Sequence, residues 1–244
     1  MHDPFTWVVG VVAAIAGAVA SVAGFGIGSI VTPVMSLQVD TKLAVAAVSI
    51  PHFIGSAIRC WSLRKDIDRK ILLSFGITSA LGGFGGAAIY SWIQAPPLTF
   101  VFGVILIFAG TMGITRLNEK LRFHGSSAWI AGAISGGLGG LVGNQGGIRS
   151  AALLGFELNK SAFVATATAI GLFVDTARMP VYFLSQMNNI IHIWPLVLAG
   201  SIGVVVGTLI GMRLLHSIDE RTFKRVVSAV ILALGVWMLI QSLR

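Results

Sequence analysis

The stretch AGFGIGSIVTPVMSL at residues 23–37 decides the fold, and a second glycine-rich stretch, SGGLGGLVGNQGGIRSAALL at 135–154, repeats its message. Each lies inside an apolar unit, 5–38 and 127–157, that is longer than the roughly 20 residues one bilayer crossing requires. Glycine in a helix interior costs about 1 kcal/mol relative to alanine, so such clusters break a helix. Each unit therefore reads as a re-entrant helical hairpin. The tips fall at Gly24–Gly28 and Gly136–Gly147, and the second arms start near Gly28-Ser29 and Gln145-Gly146.

The composition supports a lipid environment around these hairpins. The 244 residues are 55% hydrophobic and 11% charged, against roughly 25% charged in a soluble domain, and the mean hydropathy is +0.89. This excludes a soluble globular protein and implies an all-α integral membrane protein. The net charge of +8 comes from 17 Lys+Arg against 9 Asp+Glu placed in short gaps between apolar runs. That is the pattern of cytoplasmic loops, with no nucleic-acid partner implied. Cys60, the one cysteine, allows no internal disulfide and no cysteine metal cluster. Residues 1–20 show no basic leader followed by a cleavage site, so the N-terminus reads as mature membrane sequence.

Beyond the hairpins, further units are expected at about 42–63, 70–93, 98–116, 160–184, 192–214 and 222–243, eight hydrophobic units in all. Pro96-Pro97 separates two of them, and the polar run Ser185–His192 (SQMNNIIH) is expected to be the turn between two more. If all eight units crossed, Arg59, Arg64, Lys65, Arg69 and Lys70 would lie opposite Arg213, Arg221, Lys224 and Arg225. With two re-entrant hairpins, both basic groups and Arg116, Lys120 and Arg122 share the inner side, and SQMNNIIH lies outside. The second arrangement is expected: six spans, two hairpins, both termini outside.

The two halves, 1–122 and 123–244, also resemble each other. Ile15-Ala16-Gly17 matches Ile130-Ala131-Gly132, Thr41-Lys42-x-Ala44 matches Asn159-Lys160-x-Ala162, and Gly82-xxx-Gly86 matches Gly203-xxx-Gly207. A repeat of one hairpin and three crossings crosses an odd number of times, so the second copy is inverted. Inverted repeats with broken helices at the midplane are a secondary-transporter architecture.

Irregular backbone at membrane depth survives only where it is buried in protein or lines a wet cavity. Two helix N-termini starting there would present unpaired N–H groups and positive dipole ends, a site for a small anionic substrate. Gly26, Gly28, Ser29, Asn144, Gln145, Gly146 and Gly147 are the candidate binding residues at the tips, the glycines allowing close approach and the others adding donors. Arg149, one turn after Gln145, reaches the same place or snorkels inward. Asp175 and Arg178 have the i, i+3 spacing of an intramembrane ion pair, with Arg178 a substrate ligand and Asp175 a partner or proton carrier. His52, beside Pro51 in mid-unit, binds substrate, carries a proton or packs. The Gly-xxx-Gly runs read as close helix packing, within one chain or in a homo-oligomer.

No nucleotide-binding loop, metal-ligand motif or nucleophile elbow occurs, so neither a cofactor nor a catalytic role is expected. With AGFGIGSIVTPVMSL, the helix start Thr41-Lys42, and SGGLGGLVGNQGGIRSAALL followed by Asn159-Lys160, the chain resembles the sulfite exporter TauE/SafE family along essentially its whole length. The amides Asn144 and Gln145 stand where that family's second motif is richer in glycine. The resemblance implies a multipass transporter of small sulfur-containing anions, such as sulfite, thiosulfate or sulfoacetate, in a cell membrane, the inner membrane of a bacterium. An anion channel and a non-catalytic accessory subunit remain the alternatives.

Overall fold

Glycines and prolines punctuate a chain that is otherwise nearly continuous helix. The computed structural model describes residues 4–90, 92, 95–115, 126–142, 146–153, 156, 158–214 and 219, with helical positions at 225, 229, 232–233, 235–237, 239–240 and 242. The first half contains α1 (Pro4–Ala23), α2 (Ile27–Met35), α3 (Thr41–Ser62), α4 (Arg69–Ile71), α5 (Ile77–Tyr90) and α6 (Ala95–Thr115). The second half contains α7 (Ser126–Val142), α8 (Gly146–Leu153), α9 (Lys160–His192) and α10 (Trp194–Leu214). A π-helical turn, Leu72–Gly76, joins α4 to α5. No strand occurs among the described residues.

Among the described residues, five helices are long and apolar enough to cross a membrane: Pro4–Ala23, Thr41–Ser62, Arg69–Ile89, Lys160–His192 and Trp194–Leu214. Their outer surfaces carry side chains that water would not tolerate in such number, among them Trp7, Leu81 and Leu184, the last 91% exposed. These faces suit lipid, and the chain is a multi-pass membrane protein.

The helix breaks have local causes. Gly24 and Gly26 adopt φ of 78° and 141°, conformations that L side chains rarely enter, and α2 begins at Ile27. The expected start at Gly28-Ser29 is thus one residue late, and the expected start at Gln145-Gly146 falls at the edge of the described residues, from which α8 runs as helix from Gly146. Asp40 caps α3 by accepting from Lys42 N at 2.8 Å, and Asn159 caps α9 by accepting from Ala162 N at 2.9 Å.

Ser185–His192 is not a turn: α9 runs through it to His192, and the chain reverses at Ile193. Pro195 suits the place, because proline, which lacks an N–H, fits the first turn of the next helix. With 33 residues, α9 is about 50 Å long, more than a hydrocarbon core of about 30 Å needs. Its polar end can be helix that projects beyond the lipid.

Small residues set the helix directions. A Cβ at Gly10 would meet Ala199, one at Gly207 the Ala14 carbonyl, and one at Gly211 the backbone of Ala18, so α1 and α10 run side by side in the same direction. Cβ atoms at Gly200 and Gly55 would meet Pro51 and Val204, which aligns α3 with α10 as well. Gly82 faces Ala133, Gly86 faces Gly137 and Gly140 faces Gly83, so α5 and α7 also run together. The Gly-xxx-Gly runs thus pack helices within the chain, as their spacing suggests. Asp68 N donates to Thr166 Oγ1 at 2.9 Å while His52 meets Asp175, so α9 runs opposite to α3. Because α1 and α3 point the same way, residues 24–40 must carry the chain back between them. The basic residues Arg64, Lys65, Arg69, Lys70, Lys160 and Arg213 collect at one end of this helix set.

Candidate substrate-binding site

The two helix breaks meet. A Cβ on Gly146, the first residue of α8, would lie 2.6 Å from Phe25 Cβ. The Phe25 side chain therefore rests on the start of α8, a contact that only glycine permits. Arg149, one turn into α8, points Nη2 at the Gly24 carbonyl at 3.5 Å, and its guanidinium lies on Gly171 of α9, where a Cβ would come within 2.9 Å of Nη1. The N-terminal turn of α2 is thus held against α3, where Ile27 packs on Gly55, and the first described turn of α8 against α9.

Arg59 joins this junction from α3. Its Nη2 donates to Ser56 Oγ at 3.1 Å, and its Nη1 lies beside Gly55, 3.4 Å from where a Cβ would stand. Arg59 and Arg149 are each only 2% exposed, yet Nε and Nη1 of both have no acceptor among the described residues. The two guanidinium groups are within electrostatic reach of each other. A buried cation without a partner costs several kcal/mol, so two together form a place where an anion is stabilising.

Arg178 is spent differently. Its Nε and Nη2 donate to Asp175 Oδ1 at 3.0 and 2.7 Å, and its Nη1 donates to the Gly139 carbonyl at 2.6 Å. Tyr182 Oη donates to the Gly140 carbonyl. Gly139 and Gly140 lie in the last described turn of α7. Arg178 and Tyr182 therefore secure the arm that leads into the second tip. Asp175 Oδ2 lies 2.6 Å from His52 Nδ1, which extends the network to α3. Among the described residues, three buried arginines against one buried carboxylate leave surplus positive charge across the group.

Of the residues singled out in the sequence, Gly26, Gly28 and Ser29 lie at the buried start of α2, Gly146, Gly147 and Arg149 in α8, and His52, Asp175 and Arg178 in one bonded chain. Asn144 and Gln145 lie outside the described residues, as does most of unit 222–243. Arg59 and Tyr182 were not singled out, although the signal is present. Arg59 follows His52 at i+7, and Tyr182 follows Asp175 at i+7, so each shares a helix face with a residue already noted. Among the described residues no group of three or more His, Cys, Asp or Glu side chains could hold a metal ion.

Bilayer-length helices broken beside buried cations are the build of a membrane transport protein. The chain belongs to the sulfite exporter TauE/SafE family, which matches residues 9–238. It is also similar to a probable membrane transporter protein of Methanocaldococcus jannaschii, with 24% identity across 94% of each chain. No solved structure matches it. The protein is accordingly a membrane transporter.

Proposed function

We propose that this protein is a secondary transporter that exports a small sulfur-containing anion, such as sulfite, thiosulfate or sulfoacetate, across the cytoplasmic membrane, the inner membrane in a bacterium. The family supplies the substrate class. The observation that carries an anion site is the pair of buried guanidinium groups, Arg59 and Arg149, whose Nε and Nη1 have no acceptor among the described residues, beside the start of α2 and the first described turn of α8. Gly26, Gly28, Ser29, Asn144, Gln145, Gly146 and Gly147 would line it. Arg178 would hold the site in shape. A dianion leaving an inside-negative cell gains about 2.3 kcal/mol per charge per 100 mV, so export needs no ATP.

Alternating access by two inverted repeats, 1–122 and 123–244, is supported by the helix directions. Helices α1, α3 and α10 run one way, and α5, α7 and α9 run the other. Each group takes two helices from one half and one from the other, so corresponding helices point in opposite senses. The small-residue contacts correspond too: Gly203 meets Gly10 as Gly82 meets Ala133, and Gly207 meets Ala14 as Gly86 meets Gly137. Gly17 meets Val204 and Thr208 as Gly140 meets Gly83 and Ala87. That register pairs Gly17 with Gly140, and it displaces the apparent match of Ile15-Ala16-Gly17 to Ile130-Ala131-Gly132. Rocking of one group on the other would open the central site to each side in turn.

The basic end of the bundle is placed in the cytoplasm and both termini outside. In a Cys60→Ser background, cysteines replacing the exposed Asn188 and Lys65 are expected to react with an impermeant maleimide from outside only at Asn188. Labelling of both positions from one side sinks this topology.

Liposomes carrying the purified protein test the function. Labelled thiosulfate, sulfite and sulfoacetate are expected to cross with saturable, mutually competing kinetics that respond to voltage. Flux without saturation identifies a channel instead, and no flux above empty liposomes under any gradient overturns the transport reading.

A further inference from the structure

We propose that the protein carries one proton with each anion, and that His52 is the proton site. This rests on the transport reading above; with a proton aboard, a dianion crosses as one net negative charge, which an inside-negative potential still drives outward. Asp175 Oδ1 receives two donors from Arg178, which is the geometry of an ionised carboxylate, and leaves Oδ2 for His52 Nδ1 at 2.6 Å. The ring hydrogen of a neutral His52 is therefore on Nδ1, directed at Asp175, and Nε2 is the basic nitrogen. Within the pair, the Asp175 side chain is fully buried, whereas that of His52 retains 11% exposure. His52 is thus the less enclosed member of the pair.

The charges around His52 link proton binding to anion binding. On α9 it faces Asp175 and Arg178; on its own helix Arg59 lies within electrostatic reach; α2 and α10 contribute no charged side chain among the described residues except Arg213 at the far end of α10. A proton leaves water on the open side, joins Nε2, and forms an imidazolium whose charge faces Asp175. The added charge stands within electrostatic reach of Arg59, one of the two arginines at the anion site, so a bound anion and a bound proton favour each other. After the halves rock, the anion departs and the proton returns from Nε2 to water on the other side. The network also gives the proton a mechanical grip: His52 on α3, Asp175 and Arg178 on α9, and the Gly139 carbonyl on α7 form one chain of contacts.

The test uses thiosulfate, a dianion throughout the near-neutral range, so that any proton moved belongs to the protein. Liposomes with an internal pH dye, and with voltage held at zero by potassium and valinomycin, report protons and labelled thiosulfate together. The wild type is expected to move about one proton per thiosulfate. A pH difference of one unit should then drive accumulation approaching tenfold, the equilibrium for one coupled proton. His52→Gln and Asp175→Asn are expected to lower the ratio toward zero while thiosulfate–thiosulfate exchange persists in at least one of them. A wild-type ratio near zero, or a ratio that stays near one in either variant, overturns the proposal. Folded variants that both carry no thiosulfate would place His52 in the anion site and overturn it equally. Failure of the wild type to exchange thiosulfate would instead remove the transport reading on which the proposal stands.

Discussion

Gly207→Ala is expected to lower the melting temperature of the purified protein by about 6 to 12 °C, whereas Gly85→Ala raises it slightly. A Cβ at Gly207 would run into the carbonyl of Ala14 on the parallel helix α1. That obstacle is backbone, so no rotamer change relieves it, and α1 must move away from α10. Overpacking of this kind costs about 3 kcal/mol, and each kcal/mol in a chain of this size is worth about 2 to 4 °C. At Gly85 a new Cβ meets nothing within 4 Å, and alanine is the better helix former by about 1 kcal/mol. Thermal unfolding in one detergent, followed by fluorescence or by loss of the monodisperse peak, compares the two directly. Equal behaviour of the two variants would mean that α1 and α10 are not in contact at this depth.

The same glycines show why part of the fold was legible in the sequence. Glycine punctuates a membrane helix for two reasons, breaking it or letting another helix approach, and spacing separates them. Gly24-x-Gly26-x-Gly28 clusters too tightly to form one helix face and marks a break; Gly203-xxx-Gly207 keeps to one face and marks packing. Polar residues were a poorer guide. Ser185–His192 looks like a turn because it does not suit hydrocarbon, yet α9 simply continues as helix to a stop imposed near Pro195. Arg59 was hidden in the opposite way. Standing close to Arg64 and Lys65, it resembles a member of a solvated basic loop, and only its helix face, shared with Ser56 and His52, separates it from them. Once Asp40 and Asn159 are seen as caps, Arg59 and Arg178 fall at the same position in their two helices, each bonded to the residue three before it, Ser56 or Asp175. The aspartate therefore distinguishes the two halves: one arginine is tied to a carboxylate and the other is left with donors to spare.

That distinction makes a prediction in which binding and stability move in opposite directions. Arg149→Ala or Arg59→Ala is expected to weaken thiosulfate affinity by about 10- to 100-fold, the worth of one charge-assisted hydrogen bond. Either substitution removes a buried cation with unmatched donors, so the anion-free protein should melt no lower than the wild type. Asp175→Ala leaves the buried Arg178 guanidinium and the His52 ring N–H without their partner, and Arg178→Ala strands Asp175 Oδ1 and removes a donor from the Gly139 carbonyl. Breaking a buried pair in this way costs about 3 to 5 kcal/mol, so both should melt well below the wild type. Arg64→Ala removes an exposed cation stacked 4.5 Å over Trp61 and is expected to change affinity by less than about twofold. Restoring charge alone, with Arg149→Lys, should recover only part of the loss, because an ammonium does not offer the planar fork of a guanidinium. Melting curves of each variant with and without thiosulfate give both quantities in one experiment, since a ligand that binds only the folded state raises its stability. If Arg59→Ala and Arg149→Ala lower the anion-free melting temperature as far as Asp175→Ala does, their guanidinium groups have structural partners, and the anion site is not between them.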